Sequence, residues 1–140
     1  MKSNNAIYTG FEFEVEGYPA LAIINSDLKM LPNKSDYAYS VFIEIIPDSY
    51  NAMGHPEDKE YAYLIEVENK MIDYLESETR TVHIGHTTIY RRREIIFYTK
   101  DSAIVEDYLN NFLPGIEREH SFDIEEDREW AYVSAFYDKM

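Results

Sequence analysis

Alternation of apolar and polar residues dominates the first third of the chain. In YTGFEFEVEG, Phe11, Phe13 and Val15 fall on one side of an extended backbone and Glu12, Glu14 and Glu16 on the other. This is the period of two expected of a half-buried strand. Gly17 permits a turn into YPALAIIN, so the two segments predict a hairpin. SDLKMLPNKSD breaks the pattern with Pro32, Asn33 and Ser35 and predicts a connection with room for a helical turn. YAYSVFIEIIP resumes it, with Tyr39, Val41, Ile43 and Ile45 facing one way, Phe42 and Glu44 the other, and Pro47 as the stop.

The period then changes. After Pro56, the residues Tyr61, Leu64, Ile65, Met71, Ile72 and Leu75 recur at helical spacing, behind the acids Glu57, Asp58 and Glu60 that suit a helix N-terminus. RTVHIGHTTIY and RREIIFYTK predict a second hairpin. DSAIVEDYLNNFLPG predicts a helix capped by Asp101 or Ser102, with Ile104, Val105, Tyr108, Leu109 and Phe112 as its stripe and Pro114-Gly115 as its stop. EHSFDIE predicts a last strand. DREWAYVSAFYDKM favours a short terminal helix, because Trp130, Val133 and Tyr137 fall on one side.

The predicted class is therefore α+β, in the order β-β-β-α-β-β-α-β with a terminal element. From the third strand onward it spells a ferredoxin-like βαββαβ unit preceded by an N-terminal hairpin, with two helices on one face of a mainly antiparallel sheet. At 140 residues, with no linker, repeat or low-complexity segment, one domain spanning residues 1–140 is expected.

Composition narrows the partners. The 27 acidic residues against 13 basic ones give a formal charge of -14, whose field repels phosphate backbones, so nucleic-acid binding is disfavoured. No cysteine is present, which removes disulfides and thiolate metal sites. No stretch has the apolar length of a membrane span, and the N-terminal residues lack the apolar run of a secretory signal. A cytoplasmic protein without membrane attachment is expected.

Several segments together resemble a known family: YTGFEFEVEGYPALAIIN, NAMGHPEDKE, LIEVENKMIDYL, GHTTIYRRREIIFYTKD and EDREWAYVSAFY. In this order they resemble the bacterial family called domain of unknown function 695, with RREIIFYTKD and DREW the most specific pieces. The chain departs from the family at His86, where an arginine is common. The resemblance brings no assigned reaction, cofactor or catalytic residue. It extends distantly to the regulator of ribonuclease activity B, a protein of similar size and acidity that binds and inhibits an endoribonuclease, and so implies a protein-binding role. Such a likeness alone does not carry function.

The candidate chemistry is sparse. His83 and His86, three apart on a strand, are expected on opposite sheet faces, so one metal cannot easily take both. With His55 in a loop and His120 on another strand, no metal site is expected. There is no G-x-S-x-G elbow and no phosphate-cradling glycine loop, so neither a catalytic residue nor a cofactor site is assigned. Paired carboxylates in FEFEVEG and DIEEDRE read as solvated faces.

Three positions stand out from this background. Glu68 falls within the apolar stripe of the long helix, where an uncompensated carboxylate costs several kcal/mol and needs a partner. Within the triplet Arg91-Arg92-Arg93, Arg93 shares the inward side with Ile95 and Phe97, so it is the expected partner. His86, in phase with Val82 and Ile84, is expected to join them. Arg91 and Arg92 are assigned to solubility or a partner surface.

The leading expectation is a noncatalytic, acidic protein-interaction or regulatory domain that binds a protein partner or a second copy through an open sheet face carrying Phe42, Arg92, Ile96 and Tyr98. The alternative is a small-molecule-binding or hydrolytic domain built on Glu68, His86 and Arg93. A polar cleft under the helices would favour it.

Overall fold

The structure is a computed structural model and describes residues 6–140. Six strands, β1 (Tyr8–Val15), β2 (Tyr18–Asn25), β3 (Tyr39–Ile45), β4 (Thr81–Ile89), β5 (Arg92–Thr99) and β6 (His120–Glu126), form one antiparallel sheet. Three α-helices accompany it: α1 (Asp58–Glu78), α2 (Ser102–Phe112) and α3 (Ser134–Asp138). The β1–β2 hairpin closes on Glu16 and Gly17, both at positive φ, the backbone that a tight two-residue turn demands.

The strand order is β1-β2-β4-β5-β3-β6. It differs from a plain ferredoxin-like sheet, which is four strands wide, because the N-terminal hairpin extends the sheet. Leu21–Ile24 of β2 pair with Gly85–Thr88 of β4. An unpaired β4 edge would leave backbone donors and acceptors open, and β2 satisfies them.

The sheet is covered on both faces. On one, α1 and α2 lay Leu64, Met71, Ile72, Leu75, Val105 and Leu109 over Val41, Ile43, Ile45, Ile95 and Phe97. On the other, Trp130, Val133 and Tyr137 of the C-terminal segment pack on Ala22, Ile24, Ile84, Ile96 and Tyr98. That segment is a 3-10 turn, Ala131–Val133, followed by α3.

The expectation of an open sheet face is corrected here. Ile96 is 1% exposed and Tyr98 0%. Both residues lie opposite the helix-facing Val41, Ile43, Ile95 and Phe97, and the C-terminal segment occupies their face. The Trp130 ring stacks on Tyr98 with centroids 4.4 Å apart, and its Nε1–H donates to the Tyr37 carbonyl at 3.0 Å. Asp127 pins the turn: it accepts from the Tyr98 hydroxyl at 2.6 Å and from the backbone N–H of Ala131 and Tyr132. A buried Tyr and Trp each need such a polar partner: Asp127 serves Tyr98, and the Tyr37 carbonyl serves Trp130. No helix among the described residues is long and apolar enough to cross a membrane.

Candidate functional site

On α1 the buried positions Leu64, Val67, Met71, Ile72 and Leu75 surround Glu68, which is itself buried. The helix is held by its apolar stripe, so this carboxylate is carried onto the sheet with it. Directly beneath lies β5, whose Arg93 is fully buried and donates from Nη2 to Glu68 Oε1 at 2.8 Å. The Arg93 guanidinium carbon also lies 5.5 Å from the Tyr61 ring centroid, so the ring face accepts part of the charge.

The histidines are arranged otherwise than their spacing predicts. Along the β4–β5 pairing, His83 lies opposite Phe97 and Gly85 opposite Ile96, so the register shifts between them. Ile84 is the extra residue of this β-bulge, which resets the alternation. Ile84 packs with Ile96 and Tyr98 on the face of the C-terminal segment, whereas His83 and His86 both turn toward α1. The expectation of opposite faces is thus corrected. His86 reaches the helix side out of phase with Val82 and Ile84, contrary to the reason for which it was expected there. Gly85 makes the bulge possible: its φ is +149°, and a Cβ there would lie 1.9 Å from the Ile23 carbonyl oxygen.

The two rings meet one oxygen. His83 Nε2 lies 2.8 Å and His86 Nδ1 3.0 Å from Glu68 Oε2. Burial alone would raise the Glu68 carboxyl, but the hydrogen bonds from His83 and His86 outweigh it and hold the group well below the usual carboxylate range. An ionised carboxylate only accepts, so both nitrogens facing it donate. The outer nitrogen of His83, Nδ1, stands 2.8 Å from the Tyr8 hydroxyl. Burial, with the Glu76 and Glu68 charges, pushes the Tyr8 phenol far up, so it stays protonated.

His86 differs at its outer nitrogen. Burial lowers its affinity for a proton more than the Glu68 hydrogen bond restores it, and the Arg93 charge lowers it further. The ring is therefore neutral at pH 7, with its proton on Nδ1 and a lone pair on Nε2. Among the described residues the only buried side-chain nitrogens or oxygens lacking a partner are Arg93 Nε and Nη1. His86 Nε2 makes no hydrogen bond to another described residue and remains within reach of solvent.

A pocket of about 290 Å³ is lined by His86 together with Tyr8, Ile23, Tyr61, Ile65, Glu68, Asn69, Ile72 and His83. It opens between α1 and the β1–β2–β4 part of the sheet, with isoleucine walls and a polar floor. No group of three or more His, Asp or Glu side chains among the described residues is arranged to hold a metal ion. The inner nitrogen of each histidine is engaged with Glu68 rather than directed at a shared vacant point.

The structure brings together Glu68, His86 and Arg93, and adds His83, Tyr8 and Asn69. Tyr8 escaped the sequence reading because it lies in phase with Glu12 and Glu14, on the polar side of β1. An isolated glycine inside a strand is a bulge signal, and Gly85 was the available clue to His83. The other expected surface residues do not join the site. Arg92 Nε lies 3.2 Å from Glu94 and 3.7 Å from Glu44, and Phe42 meets the Tyr132 ring edge-on. Arg91 sits at positive φ in the β4–β5 turn, its guanidinium 4.8 Å from the Tyr50 and 5.1 Å from the Tyr90 ring centroid. His55 and His120 donate to the carbonyls of Pro19 and Arg118. A second buried carboxylate, Glu60, is saturated by Arg118 at 2.7 and 2.8 Å and by the Asp48 backbone N–H at 2.8 Å, tying α1 to the start of β6.

The profile of a family of unknown function, DUF695, matches residues 9–137. No curated protein and no solved structure matches the chain.

Proposed function

The chain belongs to this family of unknown function, and from the site it folds we propose that it is a small-molecule-binding domain whose ligand sits in the pocket beside α1. One observation carries this reading: His86 presents an unused lone pair on Nε2 to an apolar-walled pocket, while its other nitrogen is locked on Glu68. A polar group placed among isoleucines with one valence left over is the usual way a pocket orients a ligand. The complementary ligand is small and uncharged, with an O–H or N–H that donates to Nε2 and an apolar part that covers Ile23, Ile65 and Ile72. An anion is not favoured, because Arg93, the single buried Lys or Arg among the described residues, is already matched by Glu68.

A protein-binding role, implied by the likeness to the regulator of ribonuclease activity B, loses the apolar sheet face that supported it, since Ile96 and Tyr98 lie under the C-terminal segment.

Titration of phenol and 1-butanol into the folded protein, followed through the His86 ring resonances by NMR, tests the reading. Saturable shifts at His86 are expected, and Ile65→Trp, which fills the pocket from its half-buried rim, should abolish them. Unperturbed His86 resonances at millimolar probe, or shifts that persist in Ile65→Trp, would reject the pocket as a ligand site.

A further inference from the structure

We propose that the pocket is a hydrolytic site for small uncharged carboxylic esters, with His86 as general base and Asn69 as the donor to the carbonyl oxygen. The proposal deepens the ligand-binding reading and rests on it.

The lining residues decide how the bond is attacked. They include no Ser, Thr, Cys or Lys, and the Tyr8 hydroxyl is engaged with His83 Nδ1. The proposed nucleophile is water, with His86 Nε2 as its base. An imidazole works as a base when its far nitrogen is held by a carboxylate, which fixes the tautomer and stabilises the imidazolium that forms. Glu68 Oε2 lies 3.0 Å from His86 Nδ1 and does this. The carboxylate is in turn held in place by Arg93 at 2.8 Å and His83 at 2.8 Å. Those two residues position Glu68 and do not touch substrate.

Atoms and charges balance within the site. The water oxygen bonds to the ester carbonyl carbon, the carbonyl π pair moves to its oxygen, and the water proton passes to His86 Nε2. The half-buried Asn69 amide, which makes no hydrogen bond to another described residue, supplies an N–H to the new oxyanion. Collapse of the tetrahedral intermediate expels the alcohol oxygen, which takes the proton from His86. Carboxylic acid and alcohol leave, and the imidazole is again neutral. Charge selects the substrate class. Glu68 and Arg93 cancel, so nothing in the floor favours a phosphate or carboxylate, and the isoleucine walls favour an alkyl acyl chain.

Hydrolysis of p-nitrophenyl butyrate by the full chain is the experiment, with binding of the uncleaved analogue N-phenylbutyramide read in parallel from the His86 resonances. Turnover should rise with pH to a plateau whose midpoint lies below 6.5. It should slow about twofold or more in D2O, as proton transfer to a base requires, and fall roughly 100-fold in His86→Phe. Asn69→Ala should lower kcat more than it raises KM. Ile65→Trp, with the polar groups intact, should also remove turnover, so the outcome does not hinge on the folding of His86→Phe.

Equal rates in wild type, His86→Phe and Ile65→Trp would overturn the hydrolytic proposal. So would a D2O effect near one, which would make His86 a nucleophile rather than a base. If the anilide still shifts His86 in that case, the ligand-binding reading stands alone. If it does not, both fall.

Discussion

His83 and His86, three positions apart on β4, stand on the same face of the sheet and donate to the same oxygen of Glu68. A regular strand cannot do this, and the bulge at Ile84 does. The site's geometry therefore depends on a local break in register as much as on the side chains themselves.

Gly85→Ala tests that dependence. Its φ of +149° excludes most side chains, and the added methyl meets the Ile23 carbonyl oxygen in the neighbouring strand. The backbone strain of about 1 to 3 kcal/mol and the overlap with a paired strand act together. A loss of at least about 3 kcal/mol in urea unfolding is expected, with β2 displaced and the His86 resonances moved. A loss below about 1 kcal/mol would show that the bulge tolerates an L residue.

Glu68 and Arg93 should behave as one buried ionic unit. Glu68→Ala and Arg93→Ala each strand the other charge, so each is expected to cost about 3 to 5 kcal/mol. The double variant should cost less than the sum. Urea midpoints of the four proteins settle the coupling; additive losses would contradict the 2.8 Å contact.

Stability should depend on pH in two separate windows. The folded state resists protonation of His86 because burial lowers its proton affinity, whereas in the unfolded chain the ring titrates near 6.5. Between about pH 7 and 5 the unfolded state binds more protons, so stability falls as pH falls. Glu68 acts at lower pH. Its carboxyl is held well below the usual range, so its contribution is complete above the unfolded value near 4.3 and is lost as pH drops further. His86→Phe should flatten the first window and, by removing one of the two hydrogen bonds that hold the Glu68 carboxyl down, shrink the second. Unfolding midpoints at pH 7, 6, 5 and 4 read both.

The covered sheet face predicts unfolding where an open one would predict dissociation. Ile96→Lys places a charge at a position 1% exposed, and Trp130→Ala removes the ring stacked on Tyr98. Each is expected to cost about 3 to 5 kcal/mol. Sedimentation beside urea unfolding distinguishes the cases: an Ile96→Lys chain that keeps its midpoint but changes its mass would restore the open-face reading.

The elements and their faces were legible in the residue pattern alone. Period-two alternation placed Val41, Ile43, Ile45, Ile95 and Phe97 on one side. The helical stripe of Leu64, Met71, Ile72 and Leu75 carried Glu68 inward, and burial of a carboxylate required a cation. These inferences succeed because burial of apolar surface and the penalty on a lone charge are properties of single residues at known spacing. Three features were decided only by the tertiary structure. The bulge at Ile84 arises where β4 pairs with β2 and β5 at once, and no one strand's pattern contains both pairings. The C-terminal segment covers Ile96 and Tyr98 because its Trp130 and Asp127 find their hydrogen-bond partners in Tyr37 and Tyr98, distant in sequence. The pocket exists because the hairpin extends the sheet beyond the reach of α1, leaving Tyr8 and Ile23 beside His86 with a gap between. Contacts of this kind join residues tens of positions apart, and local periodicity carries no information about them.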